Sequence, residues 1–475
     1  MTDSPVDCSD VSGAACLSQV SEAFSSARAA QRRWAGLSVQ QRARVVRGVG
    51  AAVLDHRDEL VEVICRETGK TRADAFAEVM DVATTAEFYG RRGRKVLAGR
   101  RVAGALPVLT RARVDYVPVG VVGIISPWNY PLSLVVSDAL PALVAGNAVV
   151  LKPDTQVEET ARLAVRILVD AGVDPELFQL VCGPGETVGQ QVAAQCDFLM
   201  FTGSTATGRL LASQAGERLI GFSGELGGKN PMIVDTSASL VRAARGAVDA
   251  CFSNAGQLCV AVERIVVVED AEHPGRLEQF CALFAEAIAA RGDVGIQISR
   301  EHADRVKEFI DDAVDRGATV VTGGTVEGRL VAPTVLTGVD ESARLYREEV
   351  FGPVAYVCAA GCVEEAIEWA NDTNYGLNAS VWASPRRGEE IASRLQAGTV
   401  NVNEGYAAGW ASLGGTMGGM KASGMGRRHG EQGLLKFTEP RTVATQRVLP
   451  IGWLTWHPKI ATVALRIMAK VPFVH

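Results

Sequence analysis

Apolar side chains recur at intervals of three and four from about residue 16 to 96, as in VVRGVGAAVLDHRDELVEVICRE, with charges between them. This spacing predicts a run of amphipathic helices. From residue 112 the texture changes to short apolar runs alternating with longer helical ones. VGVVGIIS, NAVVLK, FQLVCG and CDFLMFTG predict strands, while LSLVVSDALPALVAG and EETARLAVRILVDAG predict helices, the second ended by Gly172. Strands alternating with helices in this way predict βαβ units and a parallel sheet. After residue 230 NPMIVD, ERIVVVED, ATVVTGG, PVAYVCAA, NASVWAS and GTVNVN repeat the strand signal and predict a second α/β unit. The last stretch, VLPIGWLTWHPKIATVALRIMAKVPFVH, is apolar but broken by Pro458, Lys459, Arg466 and Lys470, which argues against a membrane span and leaves an amphipathic tail open.

Composition narrows the function. A chain of 475 residues with 47% hydrophobic residues exceeds the usual single-domain size, and its net charge of -6, without a basic run, gives no sign of nucleic-acid binding. A small-molecule partner is expected. The N-terminal MTDSPVDCSD is acidic and lacks the basic and apolar regions of a signal peptide, so a cytoplasmic location is expected. The ten cysteines form no CxxC pair and no dense framework, and Cys358 and Cys362 lack His partners, so no metal site is expected.

Several short stretches carry candidate chemistry. GPGETVG and GMGRRHG lack the GxGxxG spacing of the usual dinucleotide fingerprint. FTGSTATG is better placed, because it follows a strand and opens a helix where the N–H groups near Gly203 and Ser204 can face a pyrophosphate. In isolation an ordinary glycine turn is the favoured reading. Lys152 ends a strand before Pro153, suited to a ribose or phosphate, or else simply a solvated cation. Cys259, in FSNAGQLC, follows a glycine turn that can expose a nucleophile, although a single cysteine is more often a buried filler. Glu225, in SGELGGKNP, is a candidate general base, and Asn129, in SPWNYP, a candidate amide donor. Singly these read as a solvated carboxylate and a turn residue.

Taken together, SPWNYP, LKPD, FTGS, ELGGKNP, FSNAGQLC and EEVFGP occur in the order and near the spacing of the aldehyde dehydrogenase superfamily, which the chain resembles over nearly its whole length. The resemblance implies an α/β fold with a Rossmann-like cofactor domain (1–98 and 119–227), an α/β catalytic domain (228–428) and a small β oligomerisation arm (99–118 and 437–450). A tail follows from 451 to 475. It implies Cys259 as nucleophile, Glu225 as general base and Asn129 as oxyanion donor beside the Cys259 N–H. It places Trp128, Lys152, Pro153, Asp154, Thr155, Gly203, Ser204, Leu226, Glu349 and Phe351 along a nicotinamide cofactor. A homodimer or homotetramer is expected.

The family's chemistry converts an aldehyde to a carboxylate through a thiohemiacetal and a thioester on the cysteine. Family members that prefer NAD commonly carry a glutamate three residues after the lysine, where this chain has Thr155, so NADP is expected, with NAD possible. In texture the chain is similar to actinobacterial succinate-semialdehyde dehydrogenases. The better-known enzymes of that kind place arginines where this chain has Ser137 and Ser253. Those serines and Tyr406 offer hydrogen bonds to a substrate carboxylate without charge, whereas Trp410 and Met417 suit an apolar tunnel for medium-chain aliphatic or aromatic aldehydes. Ala261 replaces the second cysteine of a redox switch found in some relatives, while Cys251 leaves another oxidative pairing open. A coenzyme A-acylating enzyme and a silent binding protein are the remaining readings, and retention of Glu225 with Cys259 and Asn129 argues against both.

Overall fold

The computed structural model describes residues 13–105, 110–447 and 450–468. Four helices, Gly13–Ala35, Val39–Asp55, Arg57–Thr68 and Arg72–Val96, occupy the region of three-and-four periodicity. Local chemistry sets their ends. Ser38 and Gln41 form a reciprocal capping box at the start of the second, and Gly69, at φ 77°, ends the third in the left-handed region.

The first sheet has six strands in the order Gly424–Met425, Gly221–Glu225, Phe198–Thr202, Val121–Ile125, Ala148–Lys152, Phe178–Leu180. All pairings are parallel except that of the short Gly424–Met425 strand, which returns from far along the chain to pair with Glu225 and Gly224. Ala148–Lys152 and Phe198–Thr202 are buried throughout, as continuous apolar strands covered on both faces require. From Val121–Ile125 the next strand lies on one side and the Phe198–Thr202 strand on the other. That reversal opens a crevice at the strand's carboxyl end, the place where ligands settle in open α/β sheets, and SPWN emerges there.

The second sheet has seven strands in the order Thr319–Thr322, Thr334–Thr337, Val354–Ala360, Val262–Val268, Asn230–Val234, Asn378–Trp382, Thr399–Val402. Only Thr319–Thr322 is antiparallel to its neighbour. Glu225 ends a strand of the first sheet and Asn230 begins one of the second, with Leu226–Lys229 between them. The carboxyl edge of one sheet is thereby tied to the amino edge of the other.

Arg100–Val102, Thr110–Pro118 and Thr438–Gln446 form a separate antiparallel sheet, with a nine-residue register from Thr438 opposite Pro118 to Gln446 opposite Thr110. Helix Pro458–Met468 begins at its proline, and Trp456, Val463 and Leu465 are exposed rather than laid over the chain's own core. No helix among the described residues is long and apolar enough to cross a membrane.

Candidate active site

After helix Leu240–Phe252 the backbone turns through Asn254, Ala255 and Gly256 at φ 52°, 53° and 72°. Left-handed backbone is tolerated by Asn but unfavourable for Ala, so the turn must be held by its surroundings. The Asn254 amide donates to the carbonyls of Asn129 (3.1 Å) and Gln257 (3.0 Å), and the Gln257 amide donates to those of Asn254 (3.1 Å) and Ile296 (3.2 Å). At Gly256 a Cβ would lie 2.1 Å from the Gly352 carbonyl oxygen, so only glycine lets EEVFGP approach this turn.

The turn delivers Cys259 to the head of strand Val262–Val268, half-buried against Tyr130, Leu134, Leu258, Leu377 and Met417. A chain of asparagines fixes its backbone. Asn230 Nδ2 donates to the carbonyls of Cys259 (2.8 Å) and Ala261 (2.7 Å), and its Oδ1 accepts the Asn378 N–H (3.0 Å). Asn378 in turn holds the carbonyls of Val260 and Gly405 and accepts from Asn401 Nδ2 at 2.9 Å. Burial, aided by the Glu349 carboxylate, pushes the Cys259 thiol up to about 12, and its own backbone N–H is turned toward the sulfur. At neutral pH the resting group is therefore a thiol, which needs a base.

Asn129 is buried beside this segment, its Nδ2 donating to the Gln257 carbonyl at 3.0 Å while Oδ1 has no partner. One amide N–H is thus used to orient the side chain, and the other is left available to a ligand. The loop is set from behind by Lys70, whose ammonium donates to the Asn129 carbonyl (2.8 Å) and to Glu78 (2.6 Å) and lies over the Tyr130 ring. The other Glu78 oxygen accepts the N–H groups of Leu132 (2.9 Å) and Ser133 (3.0 Å), so this fully buried ion pair is hydrogen-bonded on both sides.

Glu225 is buried, its Oε1 unpartnered, and burial raises its carboxyl to about 7 although Arg428 and Lys436 pull the other way. A carboxylate so tuned is matched to proton transfer at neutral pH. Glu349, raised by burial to about 8, accepts the Gly228 N–H at 3.0 Å. Lys229 pairs with Glu263 at 2.5 Å, and Glu263 accepts the N–H groups of Val350 and Phe351, tying ELGGKNP to EEVFGP. Phe351, at φ 59°, packs edge-on against Trp128, and its carbonyl is bonded to His302.

The remaining expected cofactor positions lie along the carboxyl edge of the first sheet. Lys152 is buried, burial lowers its pKa, and its ammonium makes no hydrogen bond or ion pair among the described residues. Pro153 is buried, Asp154 caps the turn by accepting the Gln156 N–H at 3.0 Å, and Thr155 is exposed. At FTGS the geometry departs from expectation. The Gly203 N–H is donated to the Glu225 carbonyl at 3.1 Å, because the two strands stay paired to their ends, and Ser204 Oγ caps its own helix through the Thr207 N–H. Leu226 fills the space beside Gly208, where a Cβ would lie 2.4 Å from the leucine side chain.

Of the expected substrate residues, Tyr406, Trp410 and Met417 gather around Cys259, while the hydroxyls of Ser137 and Ser253 are committed elsewhere. Ser137 Oγ donates to Asp81 at 2.7 Å, and Ser253 Oγ donates to the Asp249 carbonyl at 2.8 Å, with Tyr406 bonded to Ser253. The serine protons expected to meet a substrate carboxylate are thus used within the protein. Met417 packs in the Cys259 cluster with Tyr406 and Trp410 against it, and Tyr130 lies 6.3 Å from the Trp410 ring. Behind Trp410 stands His429, strained at φ 59° with both ring nitrogens buried and unpartnered, next to Arg428, which is paired with Asp138. Cys251 sits in another apolar cluster, with Phe252 and Phe284, and is a free thiol. Lys70, Glu78, Asp81 and the asparagine chain were not anticipated from sequence; only Asn230, inside GGKNP, lay in a motif already singled out.

Residues 10–443 match the model of the aldehyde dehydrogenase family. A Mycolicibacterium smegmatis protein named "Putative succinate-semialdehyde dehydrogenase [NADP(+)]" is 49% identical over 472 residues, covering 95% of this chain and 90% of that one. A Methylomonas protein named "4,4'-diapolycopene aldehyde oxidase" is 35% identical over 93% of this chain and 84% of its own. Among solved structures, an Escherichia coli "NADP dependent enzyme" superposes with a TM-score of 0.86 at 31% identity, covering 90% of each chain. The chain belongs to the aldehyde dehydrogenase family, enzymes that oxidise aldehydes to acids.

Proposed function

We propose that this protein oxidises succinate semialdehyde to succinate with NADP, using Cys259 as nucleophile, Asn129 as oxyanion donor and Glu225 as base. The observation that carries the chemistry is the convergence of a half-buried thiol, an amide with one N–H to spare and a carboxyl tuned to about 7 on one crevice. Glu225 accepts the proton as the Cys259 sulfur bonds to the aldehyde carbon, and the carbonyl oxygen takes up negative charge between Asn129 Nδ2 and the Cys259 N–H. Fixed donors of this kind are worth about 3 kcal/mol each in the transition state. Once Glu225 has lost that proton to water and oxidation has left a thioester on Cys259, Glu225 draws a proton from the attacking water, the carbon–sulfur bond breaks, the sulfur regains a proton and the acid departs.

A nicotinamide cofactor fits the residues present, because the buried Lys152 ammonium makes no hydrogen bond or ion pair among the described residues and Glu349 offers carboxylate oxygens near Cys259. Lys152, Pro153, Asp154, Thr155, Ser204 and Leu226 would hold its adenosine side, and Trp128, Glu349 and Phe351 its nicotinamide side. When bound it supplies the acceptor for the hydride that leaves the substrate carbon. The exposed Thr155 presents no carboxylate to a 2′-phosphate, which supports NADP.

The names of the relatives support succinate semialdehyde. A second reading, an uncharged aliphatic or aromatic aldehyde, is favoured by the commitment of the Ser137 proton to Asp81 and by the aromatic wall of Tyr130 and Trp410. Initial rates with succinate semialdehyde, hexanal and benzaldehyde, each with NADP and NAD, separate the two. A higher kcat/KM for succinate semialdehyde with NADP is expected; higher values for the uncharged aldehydes would move the conclusion to the second reading. Thr438–Gln446 is an edge strand, largely exposed, and such an edge invites pairing with a second copy. A dimer or dimer of dimers is expected by light scattering.

A further inference from the structure

Asp81 lies in helix Arg72–Val96, outside every motif around Cys259, yet it stands behind the aromatic wall of that site. Its Oδ1 accepts the Trp410 Nε1–H at 2.7 Å, and its Oδ2 accepts the hydroxyls of Ser137 (2.7 Å) and Ser133. The side chain is buried, at 8% exposure, and all three donors are neutral. The neighbouring cations make their ion pairs elsewhere, Arg428 with Asp138 and Lys70 with Glu78, although Arg428 also attracts Asp81 without touching it. Burial keeps the adjoining His429 neutral, lowering it to about 4. Trp410 rides on the five-residue helix Ala407–Ala411, which has no buried residue of its own; its ring packs against Tyr130 and His429, and the bond to Asp81 fixes the direction of the indole N–H.

We propose that Asp81 is a positioning residue that sets substrate specificity. It fixes Trp410 and turns the Ser137 hydroxyl away from the substrate. It also sets a negative charge behind the wall that disfavours a distal carboxylate, so the site takes uncharged aldehydes alongside an acidic one. This rests on the reading that Cys259 is the site of aldehyde oxidation.

The test compares kcat/KM for succinate semialdehyde and for pentanal in the wild-type protein, Asp81→Asn, Asp81→Ser and Trp410→Phe. Removing the charge is expected to raise the succinate semialdehyde to pentanal ratio roughly tenfold, mainly through KM, the scale of one like-charge contact in a partly screened site. Trp410→Phe keeps the ring and the charge but loses the N–H; it is expected to lower both efficiencies and leave the ratio within about twofold. Asp81→Ser gives the answer where Asp81→Asn does not fold, and melting temperature and oligomer size identify that case. Wild-type protein that oxidises both aldehydes while a folded Asp81 variant keeps the wild-type ratio would overturn this proposal alone. Equal shifts in the Asp81 and Trp410 variants would also overturn it. Wild-type protein that oxidises neither aldehyde would remove the reading of Cys259 itself.

Discussion

The wall that carries Cys259 and the wall that faces it are built by different means. Around the nucleophile the backbone is held by amide side chains: Asn230, Asn254, Gln257 and Asn378 bond to carbonyls within a few residues of the sulfur. Across the crevice the work is done by buried charge, with Lys70 and Glu78 under Asn129, Asp81 under Trp410 and Asp138 with Arg428. Neutral amides position a thiol without disturbing its ionisation, whereas charges both anchor and impose a field. The nucleophile side therefore holds the thiol's backbone in place, and the charged side anchors the groups that face it, Asn129 and Trp410.

The sharpest way to break this contrast is to remove one buried charge. Lys70→Met leaves the fully buried Glu78 without its partner and is expected to cost about 3–5 kcal/mol of stability, read as a lower denaturant midpoint. A loss of under 1 kcal/mol would mean the pair is not structural. Asn129→Ala removes a transition-state donor and is expected to lower kcat by about 10²–10³ with little change in stability. A change in KM alone would assign Asn129 to substrate binding.

The pH dependence sharpens the same contrast. Burial raises Glu225 to about 7, so the base is mostly protonated below that value and ionised above it. Single-turnover rates are therefore expected to rise about tenfold per pH unit below pH 7 and to level off above it. A flat profile between pH 5 and 8 would remove Glu225 from the rate-determining proton transfer.

Much of this was legible in the sequence. Helical periodicity placed the first four helices, and continuous apolar runs placed the buried strands, because both patterns follow directly from which faces are covered. Cys259, Glu225 and Asn129 stood out only as a set, through the resemblance carried by six ordered motifs; singly each read as an ordinary filler, solvated carboxylate or turn residue. Strand Gly424–Met425 was not legible, since two residues rich in glycine carry no alternation. Asp81 and Trp410 meet across 329 positions, and Lys70 reaches the Asn129 carbonyl across 59; only the folded chain brings such pairs together. The commitment of the Ser137 and Gly203 protons was likewise hidden, because hydrogen-bond accounting requires knowing the neighbours.

The most direct measurement of the central claim is a rapid-mixing experiment on Glu225→Gln with aldehyde and NADP, followed by intact-mass analysis of the quenched protein. Glutamine keeps the shape and removes the base, so the thioester on Cys259 is expected to form more slowly and then to persist. Reduced cofactor should stop near one equivalent per subunit, with the acyl mass located on the peptide containing Cys259. Continued turnover at the original rate, with no acyl group on Cys259, would contradict the account.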